Sequence, residues 1–156
     1  MKEKFGVLPT GEEATLYTIS CGRLTAKLTD CGAALVSLLV PDRDGNVADV
    51  VLGCDDVSGY FPGGAFLGAT VGRNANRVHN ACFILGNKTV ALSDNENGNN
   101  LHSGPDSTNK RLWTVTAHSA DRITFRLLSP HGHQGFPGNA VTVSYTHLTP
   151  PTMAVV

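Results

Sequence analysis

The feature that most constrains this chain is a two-residue hydrophobic period that recurs along most of its length. Apolar, β-branched and aromatic residues alternate with polar ones in short runs bounded by Gly, Pro, Asn and Asp. This pattern predicts strands that bury one face, because successive side chains of a strand point to opposite sides. The strands predicted in this way are 15–19, 23–28, 34–40, 47–52, 82–85, 89–92, 113–117, 123–128 and 141–145. Strands at this spacing are typical of an all-β protein, a sandwich or a barrel.

Turn residues support the same fold class. Asp44, Gly45 and Asn46 separate two apolar runs, and Gly86 with Asn87 separates two more. Because such residues tolerate positive φ, both segments are predicted to be hairpin connections. Residues 93–100, SDNENGNN, are polar throughout and predict a long exposed loop. Long ordered loops often carry function.

Composition excludes several classes of partner. With 12 Lys and Arg against 13 Asp and Glu, the net charge of −1 offers no broad cationic surface for nucleic acid. The longest apolar stretch, 33–40, is far shorter than the ~20 residues of a membrane helix. The four cysteines form no C-x-x-C pair, and no secretory leader precedes them. These features predict a cytoplasmic protein whose 156 residues are enough for one apolar core.

A first group of candidate binding residues follows a glycine-rich strand. The segment 73–77, RNANR, places Arg73 and Arg77 beside Asn74 and Asn76. Guanidinium groups offer a rigid fork of donors, and amides offer both a donor and an acceptor. This mixture suits a neutral polyol such as a sugar. The alternative interpretation is that both arginines form surface salt bridges, since exposed arginine is common.

The second candidate is His102, which ends the polar loop in the segment NNLHSG. Histidine is the side chain whose unperturbed pKa lies nearest neutrality, so it suits proton transfer and hydrogen bonding alike. A solvated loop histidine is the alternative. No histidine spacing marks a zinc site, because His131 and His133 supply only two ligands, and no metal is predicted. Phe136, in the turn GFPGN, is expected to anchor that turn.

Several segments together resemble a known family. The stretches GAALVSLLVPDRDGNVADVVLGCDDVSGY, GATVGRNANRV, NNLHSGP, RLW and QGFPGN occur in this order and resemble aldose 1-epimerases of the galactose mutarotase type. The resemblance covers residues 11–145, and the 25 positions that separate Arg77 from His102 make it specific. It implies a large antiparallel β-sandwich that interconverts the α and β anomers of free hexoses. The resemblance also implies that neither a cofactor nor a metal takes part in that reaction, so none is predicted.

Roles for individual residues come from the same resemblance. Asn76 and Arg77 match the family's sugar-binding Asn-Arg pair, and His102 matches the first of two active-site histidines. That histidine is expected to bind the sugar near its ring oxygen and to assist the charge that develops there. The family's second histidine, its substrate-binding aspartate and its glutamate base correspond to positions beyond Tyr145. The chain is therefore expected to hold about the N-terminal half of the sandwich and to be inactive alone.

The chain is predicted to divide into a mutarotase-like part, 1–145, and a tail, 146–156, that is foreign to the fold. The tail breaks the last strand with Pro150 and Pro151, which cannot join a central ladder. Two other functions stay open at this point, a carbohydrate-binding sandwich without catalysis and a hexose-6-phosphate 1-epimerase. The preferred hexose and the oligomeric state are not determined by the sequence.

Overall fold

Antiparallel strands make up most of the computed structural model, which describes residues 1–61 and 66–149. The strands in chain order are β1 (Lys2–Val7), β2 (Glu13–Cys21), β3 (Leu24–Thr29), β4 (Ala34–Pro41), β5 (Val47–Asp49), β6 (Arg77–Val78), β7 (Cys82–Leu85), β8 (Lys88–Ala91), β9 (Asn100–Leu101), β10 (Thr114–His118), β11 (Arg122–Ser129) and β12 (Ala140–His147). Short 3-10 helices occupy Val57–Tyr60, His79–Ala81, Thr108–Lys110 and His133–Gly135. Within the described ranges, no helix has the length and apolarity that crossing a membrane requires.

The first five strands form one sheet in the order of the sequence, β1-β2-β3-β4-β5. Alternation decides which face of this sheet is buried. In β2, Ala14 and Leu16 are buried and the residues between and before them are more exposed. A tight turn built on Asp42 connects β4 to β5, because its carboxylate accepts hydrogen bonds from the main-chain N–H groups of Asp44 and Asn46. The hairpin predicted at this position is confirmed.

A second sheet contains β10, β11 and β12 and packs on the first. Along β11, Ile123, Phe125 and Leu127 are buried, and the residues that alternate with them are more exposed. Their apolar cluster also contains Ile19 and Leu28 from the first sheet. Because one core joins two antiparallel sheets, the predicted all-β sandwich is confirmed.

Two short strand pairs lie outside these sheets, β7 with β8 and β6 with β9. The first is the predicted hairpin, in which Leu85 pairs with Lys88 across a turn that holds Gly86 at φ 61°. The second joins segments far apart in sequence and pairs Arg77 with Leu101. It carries the candidate site described below.

Some strand ends differ from those expected. The strand predicted over 47–52 ends at Asp49. The Asp49 carboxylate accepts hydrogen bonds from the N–H groups of Leu38 and Val51, and these take the place of main-chain hydrogen bonds between the strands. The last strand runs two residues beyond its predicted end, where Thr146 pairs with Ile123. The division of the chain at Thr146 stays a prediction, and residues 150–156 of the expected tail lie outside the described ranges.

The four cysteines are all free thiols but differ in their surroundings. Cys31 is 1 % exposed, and burial raises the pKa of its thiol to about 12. Since the thiolate is the reactive form, we expect Cys31 to resist alkylation in the native protein near neutral pH. Cys21, Cys54 and Cys82 are only partly buried and should react first. Mass spectrometry after iodoacetamide treatment tests this, and early labelling of Cys31 would contradict it.

Candidate functional site

The short pair of β6 and β9 brings together two segments that are far apart in the sequence. Arg77 lies opposite Leu101 in this ladder, so Asn76 and His102, one residue beyond each, are neighbours. Asn76, Arg77 and His102 therefore lie close together on one short strand pair. Their roles in binding and catalysis stay predictions.

Asn76 and His102 are joined by two hydrogen bonds that use the main chain of Asn76. The His102 N–H donates to the Asn76 carbonyl at 3.0 Å, and the Asn76 N–H donates to His102 Nδ1 at 3.1 Å. A ring nitrogen that accepts a hydrogen bond carries no proton. The neutral ring of His102 therefore carries its proton on Nε2, which makes that nitrogen a donor.

Ser103 fastens the same two segments at a second point. Its hydroxyl accepts from the Asn74 N–H at 2.6 Å and donates to the Asn74 carbonyl at 3.0 Å, and the residue is only 3 % exposed. Three non-glycine residues here have left-handed backbones, with φ of 61° at Asn76, 50° at His102 and 72° at Ser103. Such conformations cost free energy and cluster at functional sites. Ser103 lies within the motif NNLHSG, but its role in holding Asn74 was not predicted.

Arg77 forms an ion pair with Glu96 from the polar loop. Its Nε and Nη2 donate to the two carboxylate oxygens at 2.7 and 2.5 Å, and its Nη1 donates to Asn76 Oδ1 at 3.2 Å. The hydrogen bonds to Glu96 raise the pKa of Arg77, and those from Arg77 lower the pKa of Glu96. The alternative interpretation, a surface salt bridge, thus describes part of what Arg77 does. Glu96 was not among the residues predicted for the site.

Arg73 faces other partners. It donates to the carbonyls of Ser129, Pro130 and Pro137 at 2.8, 2.9 and 3.0 Å, and its guanidinium lies 5.7 Å from the centre of the Phe136 ring. Phe136 is 9 % exposed within a small apolar cluster, which supports the predicted anchoring role. Arg73 therefore fastens the RNANR segment to the GFPGN turn.

An aromatic ring packs against the histidine. The rings of Phe66 and His102 have centroids 4.5 Å apart and planes inclined by 52°. Together with the main-chain hydrogen bond to Nδ1, this contact restricts the orientation of the imidazole. Phe66 also has a left-handed backbone, with φ of 54°. Phe66 was not predicted to belong to the site, because an isolated aromatic residue in a sequence does not indicate which residues it will contact.

His131 and His133, which were considered as possible metal ligands, both have structural partners. His133 Nδ1 lies 2.9 Å from the Ser129 hydroxyl and its Nε2 lies 2.9 Å from Asp106. His131 Nδ1 accepts from the Gly138 N–H at 2.9 Å. Over residues 1–61 and 66–149, His, Cys, Asp and Glu form no group of three or more that could hold a metal ion.

Comparison with known proteins links this geometry to one family. The family model for aldose 1-epimerase matches residues 15–148. The aldose 1-epimerase of Escherichia coli K12 is 37% identical over 147 residues, which are 93% of this chain and 42% of that protein. The galactose mutarotase of Bos taurus is 37% identical over 144 residues, 91% of this chain and 42% of that protein. The chain thus spans less than half the length of these relatives.

Comparison with solved structures points to the same family. A GalM/aldose epimerase homologue from C. elegans superposes with a TM-score of 0.80 at 31% identity, over 85% of this chain and 41% of that one. Galactose 1-epimerase from Lactobacillus acidophilus gives 0.78 at 25% identity, over 93% of this chain and 43% of that one. Since both the matched sequence and the arrangement of strands agree, this chain belongs to the aldose 1-epimerase family.

Proposed function

We propose that the chain supplies the sugar-binding part of an aldose 1-epimerase that acts on free hexoses such as galactose and glucose. Asn76, Arg77 and His102 hold the sugar. The observation that supports the proposal is the adjacency of these three residues on the β6 and β9 pair, with the Asn76 N–H bonded to His102 Nδ1. The names of the relatives, aldose 1-epimerase and galactose mutarotase, support the choice of this reaction and of this class of substrate.

The reaction requires ring opening and closure. A base takes the proton from the anomeric hydroxyl, an acid protonates the ring oxygen, and the open aldehyde closes to either anomer. His102 presents an Nε2–H donor, so its role is to donate a hydrogen bond to the ring oxygen as negative charge develops there. The Asn76 amide and the unengaged N–H groups of Arg77 bind the sugar hydroxyls.

Turnover also needs a base in contact with the anomeric hydroxyl. Among the described residues, Glu96 is the only carboxylate that forms a hydrogen bond with Asn76, Arg77 or His102. Both of its oxygens are occupied by Arg77, and that contact lowers its pKa, which makes it a weak base. We therefore propose that the 156-residue chain binds hexose without catalysing anomerisation.

Charge distinguishes this proposal from the hexose-6-phosphate alternative. Phosphate recognition calls for cations that are available to the ligand. Arg73 is engaged by three carbonyls, and the charge of Arg77 is offset by Glu96. Both guanidinium groups of the motif are thus already paired, which favours a neutral sugar.

The test uses the purified chain with D-galactose. In a 15N-labelled sample, galactose is expected to shift the amide signals of residues 74–77 and 101–103, which line the site. Polarimetry of freshly dissolved α-D-galactose should show the same mutarotation rate with the chain as with buffer. The absence of shifts at these residues would contradict the binding proposal. A rate that rises in proportion to protein concentration would contradict the proposed lack of turnover.

A further inference from the structure

The ion pair between Arg77 and Glu96 leaves the arginine only part of its hydrogen-bonding capacity. Arginine has five N–H groups, and three of those on Arg77 are engaged by Glu96 and Asn76. The two remaining N–H groups of Arg77 can donate hydrogen bonds to a ligand. The adjacent carboxylate offsets the positive charge of the guanidinium, so a ligand meets an ion pair that carries little net charge.

The polar loop holds Glu96 in place from several sides. The Asp94 carboxylate accepts from the N–H groups of Glu96 and Gly98 at 3.2 and 3.1 Å, and Glu96 and Asn99 exchange main-chain hydrogen bonds. The Asn95 side chain accepts from the Leu101 N–H at 2.7 Å and donates to the Leu101 carbonyl at 2.9 Å. The loop predicted to be long and exposed is therefore a fixed platform, tied to the strand that precedes His102.

The position of Glu96 has an electrostatic consequence. Its side chain is 26% exposed, so water screens its charge only in part. A carboxylate or phosphate on a bound sugar that approached Arg77 would also approach Glu96. Repulsion between the two negative groups would then reduce the attraction by Arg77. A neutral hydroxyl would meet no such opposition.

We infer that Glu96 determines specificity at this site, because it neutralises Arg77 and so selects uncharged sugars over sugars that carry an acidic group. This inference rests on the proposed function and adds the residue that sets the charge of the substrate. Glu96 acts through Arg77, so it is a positioning residue and touches the reacting atoms in no step proposed here.

The experiment compares the binding of D-galactose and D-galacturonate, which differ at C6 in a hydroxymethyl group against a carboxylate. Each sugar is titrated into the wild-type 156-residue chain and into the Glu96→Gln variant, and binding is measured by NMR. Glutamine keeps the size of the side chain and one acceptor for Arg77 but removes the charge. The ratio of the galacturonate to the galactose affinity is expected to rise roughly tenfold, the effect of one charge at about 6 Å in a partly solvated site. Raising the ionic strength should shrink that change.

Two further variants test whether the change in the affinity ratio is caused by the charge of Glu96. Glu96→Asp keeps the charge and should leave the ratio within about twofold of the wild type, since charge and not shape sets the preference. Glu13→Gln makes the same chemical change at an exposed ion pair with Lys4 on the edge of the first sheet, and should leave the ratio unchanged. A rise that Glu13→Gln reproduces would overturn the inference, because net charge alone would then explain it.

The outcomes separate the two proposals. If the wild type binds galactose at the predicted residues and Glu96→Gln leaves the ratio unchanged, Glu96 has no role in specificity and the proposed function stands. If the wild type binds neither sugar, the proposed function fails and the inference fails with it. Folding of each variant is checked by its amide spectrum outside residues 74–77 and 94–103, which should match the wild type.

Discussion

Replacing Phe125 by alanine is expected to lower the free energy of unfolding by about 3 to 5 kcal/mol. Phe125 is completely buried in the cluster that joins the two sheets, and the Tyr17 ring packs edge-on against it with centroids 6.0 Å apart. The substitution removes apolar contacts and leaves a cavity that two sheets cannot readily close. Small domains are stable by only about 5 to 15 kcal/mol, so the loss is a large fraction of the total.

Urea denaturation followed by tryptophan fluorescence measures this change, because Trp113 lies in the same cluster. The midpoint should fall while the slope of the transition stays constant. Tyr145→Ala is the matched control, since it removes an aromatic side chain that is 57% exposed on the neighbouring strand. It should cost less than about 1 kcal/mol. Equal losses for the two variants would show that the two sheets do not share the core described here.

Replacing His102 by alanine is expected to raise the barrier to anomerisation by about 2 to 4 kcal/mol, roughly 30- to 1,000-fold in kcat. The physical reason is the loss of the Nε2–H donor at the position where negative charge develops. The measurement needs a protein that turns over. A suitable one is a chimera in which residues 15–148 replace the matching part of the Escherichia coli aldose 1-epimerase.

The control for this prediction is His118→Ala in the same chimera. His118 is an exposed histidine on β10 that packs against Tyr17, away from the β6 and β9 pair. It should leave kcat within about twofold of the unchanged chimera, as expected of a surface position. If His102→Ala also stays within twofold, His102 has no part in catalysis.

The strands that build the sandwich could be predicted because each follows the period of two over several residues. β1 was missed because only Phe5 of its six residues is buried, so the alternation is weak. The pair of β6 and β9 was missed for another reason. Each strand has two residues, too few for any period, and their pairing depends on contacts across more than 20 positions of the sequence.

The candidate site was predictable as a set of residue types but not as an arrangement. The resemblance to a family picked out Asn76, Arg77 and His102. It did not pick out Ser103 or Glu96, which act by holding the main chain of Asn74 and the guanidinium of Arg77. Polar residues in a loop rich in Asn and Gly carry no sequence signal that distinguishes a support from a solvated turn.

The hydrogen bond from the Asn76 N–H to His102 Nδ1 has a consequence for how such a site can change over evolution. In many enzymes a carboxylate holds the second ring nitrogen, and losing that one side chain changes which nitrogen carries the proton. Here the partner belongs to the peptide backbone, so its supply at position 76 depends on the left-handed backbone there and not on the side chain, and only proline lacks the N–H group. The position of the proton on His102 is therefore set by the backbone conformation at position 76. The feature that must be kept for this tautomer is the backbone conformation of residues 74–77.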